Sequence, residues 1–134
     1  MLLQPKKKKF IKYHKGKILN FKFKSKLLKF GVIGMQAKES GIISAKQIES
    51  ARRAISRKIK RKGKIWIRIF PDLPVTKKPS EVRMGKGKGN IKYWATKVKA
   101  GTILFELCGS TFKKSYLAFK AGSMKLSIKT KVIK

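Results

Sequence analysis

SAKQIESARRAISRKIKRKGKIWIRIF, residues Ser44–Phe70, contains the change of period that decides the fold. Ser44 precedes Gln47 by three residues, the capping-box spacing. Ile48, Ala51, Ile55 and Ile59 recur at helical offsets and form a core stripe. Gly63 stands where a terminating glycine belongs, so the spacing predicts a helix over Ser44–Gly63. In IWIRIF the period drops to two: Ile65, Ile67 and Ile69 face one way, Trp66, Arg68 and Phe70 the other. That alternation, rich in β-branched residues, predicts a strand that Pro71 stops. Trp66 is read as a core side chain. The outer face of the helix carries Arg52, Arg53, Arg57, Lys58, Lys60, Arg61 and Lys62, with Glu49 as its one acidic neighbour after the cap. Like charges on successive turns oppose helix formation, and one carboxylate cannot pair the run. A phosphate partner would remove the repulsion; the bland alternative is a solvated face.

Downstream, Asp72–Ser80 reads as a proline-punctuated connection, and Glu81–Met84 leads into a glycine loop within VRMGKGKGN, residues Val82–Asn90. Gly85, Gly87 and Gly89 alternate there with Lys86 and Lys88, and Arg83 leads in. Glycine reaches positive φ and has no Cβ, so such a backbone can lie against another surface while the lysines supply charge. A flexible hairpin turn with solvated lysines is the plainer reading. Ile91–Lys99 and Thr102–Cys108 read as strands separated by a turn at Gly101. Ser110–Ala121 reads as a second helix, with Ser110 as cap, Phe112, Tyr116 and Phe119 on one face, and Gly122 ending it. Leu126–Ile133 reads as an edge strand blunted by lysines. Cys108 is read as a small buried residue.

Upstream, Phe30–Ala37 is apolar with two glycines and reads as a strand with a bulge or a close backbone approach. Leu19–Lys29, with Phe21 and Phe23 on one side of an extended chain, is a strand or an aromatic-bearing loop. Met1–Lys17 is a basic arm in which Phe10, Ile11 and Tyr13 interrupt the lysines, a composition suited to ordering on RNA by stacking and phosphate contact. The RNA-contacting candidates are therefore Lys6, Lys7, Lys8, Lys9, Lys12, Tyr13, His14 and Lys15 in the arm, and Arg52, Arg53, Arg57, Lys60 and Arg61 on the helix.

The charge balance names the partner class. Among 134 residues, 37 Lys+Arg stand against 5 Asp+Glu, a formal net charge of +32. Self-repulsion at that density opposes compaction, and a polyanion relieves it. Nucleic acid comes first, because phosphate neutralisation releases counterions. About ten neutralised phosphates would give a log–log salt slope of roughly −7 to −9. A membrane surface comes second, but the apolar stripe of the helix is narrow and the core needs it. No stretch approaches the length of a spanning helix, so no membrane insertion is expected. MLLQPKKKKF has no apolar stretch after its basic run and reads as neither a secretory signal nor a transit peptide.

A single Cys108 and a single His14 exclude an intramolecular disulfide and a Cys/His zinc cage. The acidic residues Glu39, Glu49, Asp72, Glu81 and Glu106 are scattered without paired spacing. GKGKGN lacks the gap and the Gly-Lys-Ser/Thr of a P-loop. No catalysis and no cofactor are expected. The expected architecture is α+β: a mostly antiparallel sheet with two helices on one face, in a domain over residues 21–134, preceded by the basic arm of residues 1–20 and carrying the Gly/Lys loop at 83–90.

These residues also resemble a known family. AKQIESARRAISRKIKRKGKIWIRIFPDLPVT at Ala45–Thr76 and KPSEVRMGKGKGNIKYW at Lys78–Trp94 resemble the bacterial-type large-subunit ribosomal protein sixteen, as do LQPKKKKFIKYHKGK at Leu3–Lys17 and KLSIKT at Lys125–Thr130. The resemblance implies a structural protein that binds large-subunit rRNA beside neighbouring ribosomal proteins and helps position tRNA at the accommodation site near the peptidyl-transferase centre. It implies that Arg83, Met84, Gly85, Lys86, Gly87, Lys88 and Gly89 form the tRNA-proximal loop, and that Arg52, Arg53 and Arg57 meet rRNA. Two departures stand out: Ser127 where the family commonly has proline, and Phe112–Ser115, FKKS, where it is commonly acidic. That drift and the lysine and isoleucine bias point to an organellar copy in the mitochondrial matrix, with plastid or bacterial cytoplasm as alternatives. A free-standing cationic RNA chaperone or ribosome-maturation factor is the competing function.

Overall fold

The structure, a computed structural model, describes residues 3–18 and 27–134; the expected segment of Phe21 and Phe23 lies mostly outside them. Seven strands and two helices follow the order β1 (Ile33–Ala37), β2 (Gly41–Ser44), α1 (Ala45–Lys58), β3 (Lys64–Ile67), β4 (Leu73–Lys77), β5 (Asn90–Val98), β6 (Ile103–Cys108), α2 (Phe112–Ser123) and β7 (Thr130–Ile133). The class is α+β and the strand pairings are antiparallel, as expected. The strands divide between two sheets, ordered β3-β6-β1-β7 and β2-β5-β4. One core spans the assembly: Met35, Ile43, Ile48, Ile55, Leu104, Phe105 and Phe119 are fully buried in a single cluster.

Helix α1 starts where the sequence places it. The Gln47 amide donates to Ser44 Oγ at 3.3 Å, and the Ser44 amide donates to Gln47 Oε1 at 2.8 Å, closing the capping box. Ile48, Ala51, Ile55 and Ile59 are buried as the period predicts. The helix ends five residues before Gly63, at Lys58. Lys60 and Arg61 adopt left-handed φ of 53° and 59°, and the Arg61 amide donates to Ser56 O, so the last carbonyls are satisfied by a turn instead of another helical repeat.

Several expectations are corrected. Asp72–Ser80 is not merely a connection, because it contains β4 with Pro74 inside it. The strand tolerates proline because β4 is the outer strand of its sheet. Strand β2 was not expected; it is formed by pairing with β5. Thr111, not Ser110, precedes α2, and Gly122 lies inside that helix instead of ending it. A Cβ at Gly122 would sit 2.7 Å from Ile55 Cγ1, so glycine lets the two helices approach. The buried face of α2 is Ser115, Ala118, Phe119 and Gly122, while Phe112 and Tyr116 stack on each other at the surface. Trp66 is half-buried and stacked on the exposed Phe30 instead of lying in the core, and Cys108 is likewise only partly buried. The bulge expected in the first strand is present between Met35 and Gln36.

A buried carboxylate ties the chain before β1 to this body. Glu106 is inaccessible to solvent and accepts hydrogen bonds from the amides of Phe30 (2.6 Å), Gly31 (2.8 Å) and Lys29 (3.2 Å), and from Arg68. Burial pushes its carboxyl up, but the three amides and the Arg68 charge outweigh burial and hold it below its ordinary value.

Candidate nucleic-acid interface

The glycine loop is the tip of the β4–β5 hairpin, since Lys77 pairs with Asn90 at its base. Every residue from Val82 to Lys88 is exposed, and Met84 is 98% exposed. Gly85, Lys86 and Gly87 take successive positive φ values of 101°, 50° and 78°. A Cβ on Gly85 or Gly87 would meet nothing within 4 Å, so backbone conformation alone demands glycine there and the space beside both is open. Gly89 differs: a Cβ there would lie 2.7 Å from the Lys77 backbone, so close packing across the hairpin demands glycine. Lys78 donates to Gly85 O and braces the loop from its entry side. Arg83 and Lys86 make no hydrogen bond or ion pair among the described residues.

The basic arm lies against this hairpin. Tyr13 donates its hydroxyl to Asp72 O at 2.9 Å, and Lys8 donates to the same oxygen. The Lys8 ammonium sits 5.0 Å from the centres of both the Tyr13 and Trp94 rings, a cation–π arrangement. Lys88 donates to Tyr13 O at 2.7 Å, and Lys12 donates to Lys88 O at 3.3 Å. Burial and the Asp72 charge raise the Tyr13 phenol above its ordinary value. Lys8, Tyr13 and Lys88 are thus anchors of the arm as well as candidate contacts. Lys6, Lys7, Lys9, His14 and Lys15 are exposed, as is Phe10 at 69%.

On α1 the charge pattern is less bare than its sequence. Glu49 accepts from Arg52 at 2.7 and 2.9 Å and from Arg53 at 3.1 Å. The Arg52 hydrogen bonds, opposed by partial burial and helped by Arg53, lower the Glu49 carboxyl to about 2. One carboxylate therefore orients two arginines and leaves the trio a net positive charge. Arg57 and Lys58 are exposed without a partner among the described residues. Lys60 and Arg61, expected on the helix, lie in the turn beyond it.

The start of the arm joins these parts. A cavity of about 660 Å³ is walled by Leu3 of the arm, Lys46, Glu49 and Arg53 of α1, and Tyr93 and Trp94 of β5. Arm, first half of α1 and hairpin therefore form one cationic surface, whereas Lys60 and Arg61 stand apart from it at the far end of α1. The arm clamps at Lys8, Lys88 and Asp72 were missed in the sequence because a lysine-to-carbonyl contact has no residue signature. Among the described residues no group of three His, Cys, Asp or Glu side chains could hold a metal, and no helix is long and apolar enough to cross a membrane.

A profile of the family described as ribosomal protein L16p/L10e matches residues 5–133. The large ribosomal subunit protein uL16 of Sphingopyxis alaskensis is 58% identical over 132 residues, covering 98% of this chain and 92% of that protein. The uL16 of Cereibacter sphaeroides is 52% identical over 132 residues, covering 98% and 96%. That of Buchnera aphidicola is 56% identical over 129 residues, covering 96% and 94%.

Proposed function

The chain belongs to the ribosomal protein L16p/L10e family, as a bacterial-type, structural and non-enzymatic constituent of the large ribosomal subunit, and from that premise we propose how its surface is used there. The α1 face with Arg52, Arg53 and Arg57, the turn at Lys60 and Arg61, and the exposed arm residues Lys6, Lys7, Lys9, Lys12, His14 and Lys15 bind large-subunit rRNA. Phosphate contacts of this kind fix position and carry little sequence information, so recognition rests on rRNA shape and on stacking by Phe10. The hairpin tip, Arg83–Gly89, lies beside tRNA at the accommodation site near the peptidyl-transferase centre.

The observation that carries this reading is the tip itself. It is exposed, cationic and free of acidic side chains, and its left-handed residues form a bend with open space beside Gly85 and Gly87. A polyanion can approach that backbone closely, and Lys86 and Arg83 are unspent for its phosphates. Lys88 is committed to the arm, so the clean test uses Arg83→Ala/Lys86→Ala. Subunits rebuilt with this variant are expected to contain it at normal occupancy and to accommodate tRNA several-fold more slowly in rapid kinetics. Unchanged accommodation overturns the role of the loop. The mitochondrial compartment rests on the departures at Ser127 and Phe112–Ser115 and on the lysine and isoleucine bias, the relatives named above being bacterial, and fractionation of the source cells tests it.

A further inference from the structure

A second cationic feature shares only Lys60 with that reading. Where α1 ends and α2 begins lies a cavity of about 360 Å³, walled by Lys58, Lys60 and Lys62 on one side and by Ser110, Thr111 and Lys114 on the other. None of the four lysines has an ion pair or a side-chain hydrogen bond among the described residues. The carboxylates that form ion pairs are engaged elsewhere: Glu39 with Lys129, Glu49 with Arg52 and Arg53, Glu106 with Arg68. The left-handed turn at Lys60 and Arg61 brings the chain after α1 back to the entry of α2, where a Cβ on Gly63 would lie 2.4 Å from Cys108 O. That close crossing holds the two lysine-bearing segments together. Helix α2 offers no relief, since its first turn has no acidic residue and Thr111 makes no side-chain cap. Its positive end adds to the lysines instead of offsetting them.

Four ammonium groups around one cavity repel each other, and no carboxylate among the described residues pairs with them. Packing alone would not assemble them, because all four lysines are exposed. We propose that this cavity is a phosphodiester-binding site that grips an RNA backbone, separate from the surface formed by the arm, the first half of α1 and the hairpin. Lysine ammoniums and the Ser110 and Thr111 hydroxyls donate to the non-bridging oxygens. Four lysines exceed what one phosphate dianion neutralises, whereas successive phosphates of a strand match them, so RNA is the occupant in place of free phosphate. The site rests on the reading of the chain as an rRNA binder, and extends it to the FKKS stretch of α2.

The test uses the full chain, a large-subunit rRNA fragment and the variant Lys62→Ala/Lys114→Ala, both positions being exposed. Binding is measured across a salt series. Loss of two phosphate contacts makes the log–log salt slope shallower by roughly 1.4–1.8, and Lys62→Arg/Lys114→Arg restores it. In acylation footprinting, rRNA protects Lys62 and Lys114 while the exposed Lys129 stays reactive. If the wild-type chain binds rRNA but the variant keeps the same slope and both lysines stay reactive, the site is wrong and the rRNA reading stands. If the wild-type chain shows no salt-sensitive rRNA binding, the parent reading falls and takes the site with it. Protection by inorganic phosphate equal to that by rRNA overturns the RNA assignment in favour of a free anion.

Discussion

Two segments are laid on this protein, and they are held in opposite ways. Lys29–Gly31 is fixed to the β3-β6-β1-β7 sheet by a carboxylate sealed from solvent, with three amides and a guanidinium converging on Glu106. The arm is fixed to the β2-β5-β4 sheet by exposed lysine and tyrosine side chains reaching backbone carbonyls at Asp72, Tyr13 and Lys88. A buried acceptor left empty costs its full desolvation, so the first attachment belongs to the folding unit. Exposed bonds to carbonyls trade readily with water or with another polyelectrolyte, so the second can be remodelled by a bound RNA. The body is made permanent where charge is buried, and adaptable where charge is left in water.

The largest effect is expected from Glu106→Ala. It leaves three amides without an acceptor and Arg68 without its partner, and should lower stability by about 3–5 kcal/mol in chemical denaturation. A loss below about 1 kcal/mol would erase the contrast between the two attachments. Next comes acid. Because the Glu106 carboxyl is depressed on folding, its contribution is present above its ordinary value of 4.5 and is lost as pH falls through the lower folded value. The Phe30 and Gly31 amide resonances should therefore shift together below pH 4.5, while that of Val75, in the hairpin, stays still. The smallest effect separates the two loop lysines. Lys88→Ala removes the bond to Tyr13 O and should speed amide exchange across residues 10–15, with global stability changed by less than about 0.5 kcal/mol; Lys86→Ala should change neither. Equal behaviour of the two variants would mean that the arm is held by its own Lys8, Lys12 and Tyr13 alone.

Much of the fold was legible in local pattern. The capping box of α1, its isoleucine stripe, the strand after it and the turn at Gly101 follow from residue spacing and stand in the structure at or near the expected positions. Strand β4 was hidden because Pro74 argues against a strand until its place at a sheet edge is known. The buried face of α2 was misread because Phe112 and Tyr116 fit a helical period as well as Ser115 and Ala118 do, and only contact with α1 selects the smaller residues. For the candidate interface, the arm, the loop and the α1 arginines were each singled out by charge and glycine content. Their joining was not.

By itself the sequence determined what local chemistry can determine: where α1 starts and that a strand follows it, that cations outnumber anions beyond internal pairing, and that the hairpin tip is glycine and lysine. Tertiary structure alone decided how seven strands divide into two sheets, which carboxylate is buried, which lysines are occupied as clamps, and that the turn after α1 faces the start of α2. The reason is distance along the chain. The Glu106 bonds to the Lys29–Gly31 amides span 75 to 77 residues and the Lys88–Tyr13 bond spans 75, and no local period or propensity encodes a pairing that only the closed core brings within hydrogen-bond reach.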